Sequence, residues 1–314
     1  MLRPLHSTFF ILFLLLVSCG KDIEQFIPHQ GQAYLDQLFD EVTSPNETIS
    51  FQVTGDEVKS ITASGVLFII NTQSLIDDVV VNVGDTLNLS FWALTSSMDL
   101  LRHQLSTTVK SQVFESTIAI RYEIKTSEGS RVESEQSSIE VIIPTLFDDS
   151  GESTVYQSNV NEWQELESNA SLSSGNFEIV VDEATIWSDF GYSLYAASDL
   201  WYALSSGTIS NAESTELCVT GNLEIDNSQL YLVSDEQGVT LKVGYESLTE
   251  KFCDAWYTSN SHSTFTLYAL RADDERNFYI STLNDIEISK ETELDLSDSM
   301  VQIEREALIT LLKG

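Results

Sequence analysis

The chain has 314 residues, with 49 Asp plus Glu against 15 Lys plus Arg and a formal net charge of −34. That balance repels phosphate backbones and anionic headgroups, which excludes nucleic-acid binding and charge-driven adsorption to a bilayer. A hydrophobic share of 42% is too high for a disordered acidic chain and suffices for two ordinary domains or one large all-β domain.

The first element is a short start carrying Arg3, followed by nine consecutive apolar residues from Phe9 to Val17 and then Ser18-Cys19-Gly20. Nine residues is about half of what a helix needs to span a bilayer, so the run reads as an export signal that is removed. The chain is therefore expected outside the cytoplasm. Leu16-Val17-Ser18-Cys19 resembles the lipobox of bacterial lipoproteins. The resemblance implies that residues 1–18 are a signal peptide and that Cys19 is lipidated, opens the mature chain and holds it to outer-membrane lipid. Acyl chains contribute about 0.8 kcal/mol per buried CH₂, and more than one chain gives stable anchoring. Gly20-Lys21-Asp22-Ile23-Glu24 is similar to the charged signal that sends Bacteroidetes lipoproteins to the outer face of the outer membrane, which implies an export role for Lys21 and Asp22.

Residues 19–47 form a tether. Within it Leu35, Leu38, Phe39 and Val42 share one face of a short helix, closed by Thr43-Ser44-Pro45 and expected to pack on the first domain. Residues 48–145 read as an N-terminal β domain with strands near 49–53, 65–70, 77–83, 87–93, 116–125 and 137–143. Ile118, Ile120, Tyr122 and Ile124 alternate on one face. No long helical pattern separates these strands, which excludes βαβ crossovers. Residues 146–153 combine a charge cluster with Gly151 just after Pro144, as a linker does.

Residues 154–314 read as a C-terminal β domain. Strands fall near 177–181, 189–196, 215–219, 229–234, 239–244, 263–271, 277–282 and 286–296, and Phe265 to Leu270 carries apolar groups on both faces. Ser299 to Gln302 has the spacing of a capping box. The stripe Ile303, Ala307, Leu308, Leu311 and Leu312 then predicts a terminal helix docked on a sheet. The expected fold is thus all-β and mainly antiparallel, with two β-sandwich-like domains and short peripheral helices. No Lys or Arg occurs from Val132 to Leu241, so salt or divalent cations are expected to favour the compact state.

With Cys19 assigned to lipid, Cys218 and Cys253 remain. In an oxidising compartment they predict one disulfide closing a loop of about 35 residues; the other reading is two buried small hydrophobes. No hydrolase, zincin, P-loop or dinucleotide motif is present. Only His103 and His262 fall in the folded units, so a secreted hydrolase lacks a residue constellation. Two acidic clusters are candidates for calcium, Asp148, Asp149 and Glu152 in the linker and Asp273, Asp274 and Glu275 after a strand. Three adjacent carboxylates supply only part of the six to eight oxygens calcium takes, and a solvated turn is the other reading; no other cofactor is expected. Trp187, Trp201, Tyr202 and Trp256 are candidate contacts for a glycan, provided their rings stand on the surface beside carboxylates rather than in a core.

Two further stretches carry a family resemblance. Thr62 to Ile70, followed by Ser96-Ser97-Met98-Asp99-Leu100-Leu101 and Ser106-Thr107-Thr108, and Gly191 to Tyr202 leading to Leu230-Tyr231-Leu232-Val233 and Phe278-Tyr279, resemble an uncharacterised family of Bacteroidetes surface lipoproteins built from β domains. Where that family writes Gly-Trp-Ile-Asn-Cys-Asp, this chain has Ala197-Ser198-Asp199-Leu200-Trp201-Tyr202. The resemblance implies a structural or interaction module of the cell envelope, with envelope proteins or glycans as partners, and brings no reaction with it.

Overall fold

A computed structural model describes residues 30–63, 65–76, 81–134, 139–144, 154–159, 162–166, 170–181, 184–205, 213–258, 264–288 and 291–313. Cys19, Lys21 and Asp22, the acidic cluster Asp148, Asp149 and Glu152, and His262 lie outside the described residues.

Branched and aromatic residues at every second position make most of the chain extended. The first half carries α1 (Gly31–Val42), β1 (Glu47–Gln52), β2 (Glu57–Ile61), β3 (Leu67–Asn71), β4 (Leu75–Ile76), β5 (Thr86–Leu94) and α2 (Ser97–Arg102). There follow β6 (Thr108–Val109), β7 (Gln112–Val113), β8 (Ser116–Thr126), β9 (Arg131–Ser134), β10 (Ile139–Pro144), β11 (Thr154–Asn159) and β12 (Glu162–Glu165). Next come β13 (Ala170–Val181), β14 (Ala184–Tyr195), β15 (Trp201–Ser205), β16 (Glu213–Thr220), β17 (Ser228–Ser234) and β18 (Val239–Lys242). The chain ends with β19 (Tyr245–Glu246), β20 (Lys251–Thr258), β21 (Thr264–Ala272), β22 (Phe278–Glu287), β23 (Thr292–Asp295), β24 (Val301–Ile303) and α3 (Arg305–Lys313). The fold is all-β, with a minority of short helices and several antiparallel sheets.

The first sheet runs β1-β5-β8-β15-β11-β12 and faces a second in the order β13-β14-β10-β3-β2. Strand β8 shows the logic: Ile120, Tyr122 and Ile124 are buried on the inner face, and Arg121 and Glu123 turn outward. The core between the sheets joins Phe68, Leu89, Phe91, Ile120, Tyr122 and Val141, with the Phe68 ring edge-on to Phe91 and Tyr122 at 5.3 and 5.5 Å. Buried hydroxyls are satisfied locally, Tyr122 donating to Ala196 O at 2.7 Å and Tyr202 accepting from Ala197 N at 2.7 Å. The residues predicted as a linker, 146–153, lie outside the described residues. Strands β11, β12 and β15 belong to the sheet begun by β1 and β5, so among the described residues the chain passes from the first sheet pair to the second between Ser205 and Glu213, with β6 and β7 the earlier strands that join the third sheet.

The third sheet runs β23-β16-β20-β7-β6 and faces a fourth in the order β18-β17-β21-β22-β24. Leu217, Val219, Phe252 and Trp256 meet Leu230, Leu232, Leu241 and Leu267 between them. The other face of the fourth sheet is apolar too, through Tyr231, Val233, Leu270 and Phe278, and helices cover it. Helix α1 lays Leu35, Leu38, Phe39 and Val42 there, so the tether helix packs on the second sheet pair rather than on the first domain. Burying each such side chain contributes about 1.5 to 3 kcal/mol. Gly31 allows the approach, since a Cβ on it would stand 2.2 Å from Ala272 O. Helix α3 adds Leu308, Ile309 and Leu312. The predicted capping box does not cap the helix, since Val301 and Gln302 belong to β24, and Leu311 is 40% exposed, because the helix meets the sheet one position away from the predicted stripe.

Residues 95–115, between β5 and β8, leave the first sheet and fasten the two pairs together. Ser96 and Asp99 form a capping box that starts α2, and Arg102 binds Asp99 and the Leu312 carbonyl. Ser97 Oγ donates to Ser234 O at 2.8 Å, Thr240 Oγ1 donates to Ser97 O at 2.7 Å, and Thr107 N donates to Thr240 O at 2.7 Å. Strand β7 then joins the third sheet beside β20. Gly238, at φ +60, lets Ser116 pass, because a Cβ there would lie 2.3 Å from Ser116 O.

Candidate functional site

Where residues 95–115 cross from one sheet pair to the other they leave a groove. Its largest lobe, about 840 Å³, lies between all four residues of β12 and the hairpin from Thr108 to Gln112. Two smaller lobes of about 210 and 260 Å³ adjoin it, sharing Trp163, Ser106, Thr108, Ser111 and Lys242 with one another or with the first.

The hairpin wall is a two-residue turn with both central residues at positive φ, Lys110 at 48° and Ser111 at 66°. A type I′ turn favours Asn-Gly because a Cβ costs roughly 1 to 2 kcal/mol per residue in the left-handed region. Here the turn is held from outside, Ser111 O accepting from Tyr257 N at 2.8 Å. Backbone strain of this kind clusters at functional sites. On the other wall Trp163 is buried, and its indole N–H donates to Ser106 O at 2.6 Å. Phe114 stacks on Tyr156 at 4.2 Å and meets Trp163 edge-on at 5.6 Å, so this floor is rigid. Glu162, Gln164 and Glu165 stand exposed on the rim.

The lobe of about 260 Å³ opens at a gap in the third sheet. Among the described residues, strand β20 has no neighbour on that side between its pairings with β19 and β7, and the Asp254 carboxylate fills the place. It accepts from Ala255 N at 2.8 Å and from Gly244 N at 3.2 Å. Partial burial pushes its pKa up, and the two backbone donors only partly offset that rise.

The residues singled out in the sequence are dispersed. Cys218 and Cys253 are joined by a disulfide between directly paired positions of β16 and β20, on the outer face of the third sheet. Trp201, Tyr202 and Trp256 are 9%, 1% and 2% exposed, so they present no ring face to a glycan. Their exclusion is physical: Tyr202 and Trp256 are core residues, and Trp201 lies under residues 95–115 with the Arg121 guanidinium 6.0 Å from its ring. Trp92 takes the other side of that guanidinium at 5.2 Å, and Asp199 pairs with both Arg121 and Arg131. The side chain of Trp187 lies outside the described residues, while its backbone pairs with Glu178.

Asp273, a candidate for calcium, closes a turn instead. It accepts from Glu275 N, Asn277 N and Asn277 Nδ2, each at 2.9 Å, and from Tyr279 OH at 3.2 Å. Desolvation alone would raise its pKa, but these four donors outweigh it and hold the carboxyl below its usual range. Asp274 accepts from Gln30 N at 2.9 Å. Among the described residues no three His, Cys, Asp or Glu side chains converge on a metal position. His103 packs edge-on to Trp201 at 4.9 Å; burial, opposed by Asp99 and aided by Arg121 and Arg102, lowers its pKa to about 4. It is neutral at physiological pH.

Sequence reasoning missed the groove. The signals were present in Lys110-Ser111 between Thr108-Val109 and Gln112-Val113 and in the exposed acids around Trp163, but nothing local tells that these segments face each other. Compared with known proteins, the chain matches no family model, no curated protein and no solved structure.

Proposed function

We propose that the chain is a lipid-anchored module of the cell envelope, built as two β-sandwich-like units, whose groove receives a partner. The anchoring rests on the lipobox-like Leu16 to Cys19, and the export signal on Lys21 and Asp22. The observation that carries the recognition role is the open groove of about 840 Å³ at the junction, walled by a strained hairpin and a rigid aromatic floor. Its size suits a ligand or a short polymer segment, and its lining is polar. A catalytic role has less to stand on, since the His103 imidazole has no hydrogen-bonding partner among the described residues and lies against Trp201.

Two measurements test this. Cys19→Ala is expected to move the protein from the membrane fraction to the soluble envelope fraction; retention in the membrane would reject the anchor. A photo-crosslinking residue at exposed Gln164 is expected to capture a partner in intact cells that the same residue at exposed Glu246 does not. Ser111→Trp, which fills the groove, should abolish that adduct. An adduct insensitive to Ser111→Trp would reject the groove as the recognition surface.

A further inference from the structure

The lobe of about 260 Å³ contains a carboxylate that no cation answers. Asp254 lines it together with the hydroxyl-bearing Ser106, Thr108 and Ser111. Each Asp254 oxygen accepts one backbone N–H, from Ala255 and from Gly244. A carboxylate has about four acceptor sites, so about two stay open. Burial raises the pKa of Asp254, and no neighbouring cation is among the groups that lower it. The nearby lysines are engaged elsewhere. Lys242 borders the lobe, but its ammonium stands 5.8 Å from the Tyr231 ring, on the helix-covered face of the fourth sheet, where Asp36 acts on it. Lys251 pairs with Glu293 at 3.5 Å, and Lys110 borders the large lobe and not this one.

The backbone of β20 adds an acceptor. Tyr257 N donates to Ser111 O on the gap side, and residues two apart along a strand turn their N–H and C=O groups the same way. Ala255 therefore aims its carbonyl at the gap too, where no backbone donor meets it among the described residues. An unpaired carboxylate drawn partly out of water favours a bound cation, and the surroundings choose which. Calcium takes about six to eight oxygens, and no three metal-ligating side chains converge here among the described residues. A guanidinium grips both oxygens of a carboxylate side by side, whereas each Asp254 oxygen already holds a backbone N–H. A primary ammonium is a compact charge with three rotatable donors, which suits one carboxylate among carbonyl and hydroxyl acceptors.

We infer that this lobe takes a primary ammonium group on an unbranched chain, held by the Asp254 carboxylate, the Ala255 carbonyl and the Ser111 hydroxyl. The inference rests on the groove being the recognition surface, and deepens that reading by naming the chemical group one of its lobes receives. A lysine side chain of a partner polypeptide and a free polyamine share this chemistry, and the lobe leaves room for the methylene stem of either.

The probes are Nα-acetyl-lysine amide, cadaverine, Nα-acetyl-arginine amide and tetramethylammonium. Each is titrated at constant ionic strength into the purified protein while residue-resolved amide shifts are recorded. Both primary amines are expected to shift the Gly244 and Ala255 amides saturably. Tetramethylammonium, which has the charge but no N–H donor, should bind about tenfold more weakly or not at all. Tighter binding of the lysine amide would assign the ammonium to a polypeptide side chain, and tighter binding of cadaverine to a free polyamine; either supports the site. Asp254→Asn should weaken both amines about tenfold, and Ser111→Ala, which leaves the carboxylate and its backbone donors in place, should weaken them to a lesser extent. Binding that tetramethylammonium or the arginine amide matches, or that neither substitution weakens, would overturn the assignment. If no probe shifts these amides while the Gln164 adduct forms and is lost with Ser111→Trp, the ammonium is wrong and the groove reading stands. If that adduct fails as well, both fall.

Discussion

Reducing the bond between Cys218 and Cys253 should cost the second sheet pair a calculable share of its stability. The bridge closes a loop with a sequence separation of 35, and the chain-entropy relation for that length amounts to about 3.8 kcal/mol at 25 °C. The native state itself should change little, because β16 and β20 remain paired over seven positions from Glu213 to Val219. The loss therefore acts through the unfolded chain. Urea unfolding with and without dithiothreitol, followed by the fluorescence of Trp256 in a background where the other tryptophans are Phe, reads it directly. Thiol titration of the unfolded chain should gain two thiols on reduction. A loss below about 1 kcal/mol would refute the loop-entropy reasoning, and an unchanged thiol count would remove the bond itself.

His103 makes acid sensitivity specific. Its folded pKa lies near 4 and its unfolded value near 6.5, so the unfolded chain gains a proton first as pH falls below 6.5 and stability is lost down through 4. At pH 5 this amounts to about 2 kcal/mol; the fall in stability from pH 7.5 to 5 should exceed that of His103→Gln by this much, and parallel profiles would contradict the assignment. Leu38→Ala, at a fully buried position of α1, should cost about 2 to 5 kcal/mol and expose α1 to amide exchange before the strands beneath it; a cost under about 1 kcal/mol would mean that the helix is not seated as described. Replacing Lys110 and Ser111 with Asn and Gly should stabilise the protein by about 1 to 2 kcal/mol, read in urea, because that pair fits the left-handed turn without strain; no gain would mean the turn is unstrained.

Local patterns carried the elements, and their partners stayed hidden. Ile120, Tyr122 and Ile124 were legible as an inner face because a strand reports its own alternation. The apolar stripe of α1 was equally plain, yet a stripe bears no address, and it docks on strands nearly two hundred residues further on. Strand β20 escaped because Asp254 interrupts the apolar side between Phe252 and Trp256, and the reason for a carboxylate there is a missing neighbour. The break expected at 146–153 rested on composition, which does not report that the strands after it, β11, β12 and β15, join the sheet begun by β1 and β5. The groove was illegible for the same cause: that β12 and the hairpin from Thr108 to Gln112 face each other is decided by tertiary packing and not by either segment alone.

The seat of α1 also sets a schedule. Helix α1 is made well before Tyr231, Leu270 and Phe278, on which it rests and which come some 190 to 240 residues later. At about 5 to 20 residues per second, Leu35, Leu38 and Phe39 stay uncovered for roughly ten to fifty seconds of synthesis. Over that interval the nascent chain offers a bare apolar helix to whatever binds unfolded protein, and truncation before Phe278 leaves it exposed for good. Proteolysis of shortened chains should therefore begin at the amino-terminal end, far from the cut.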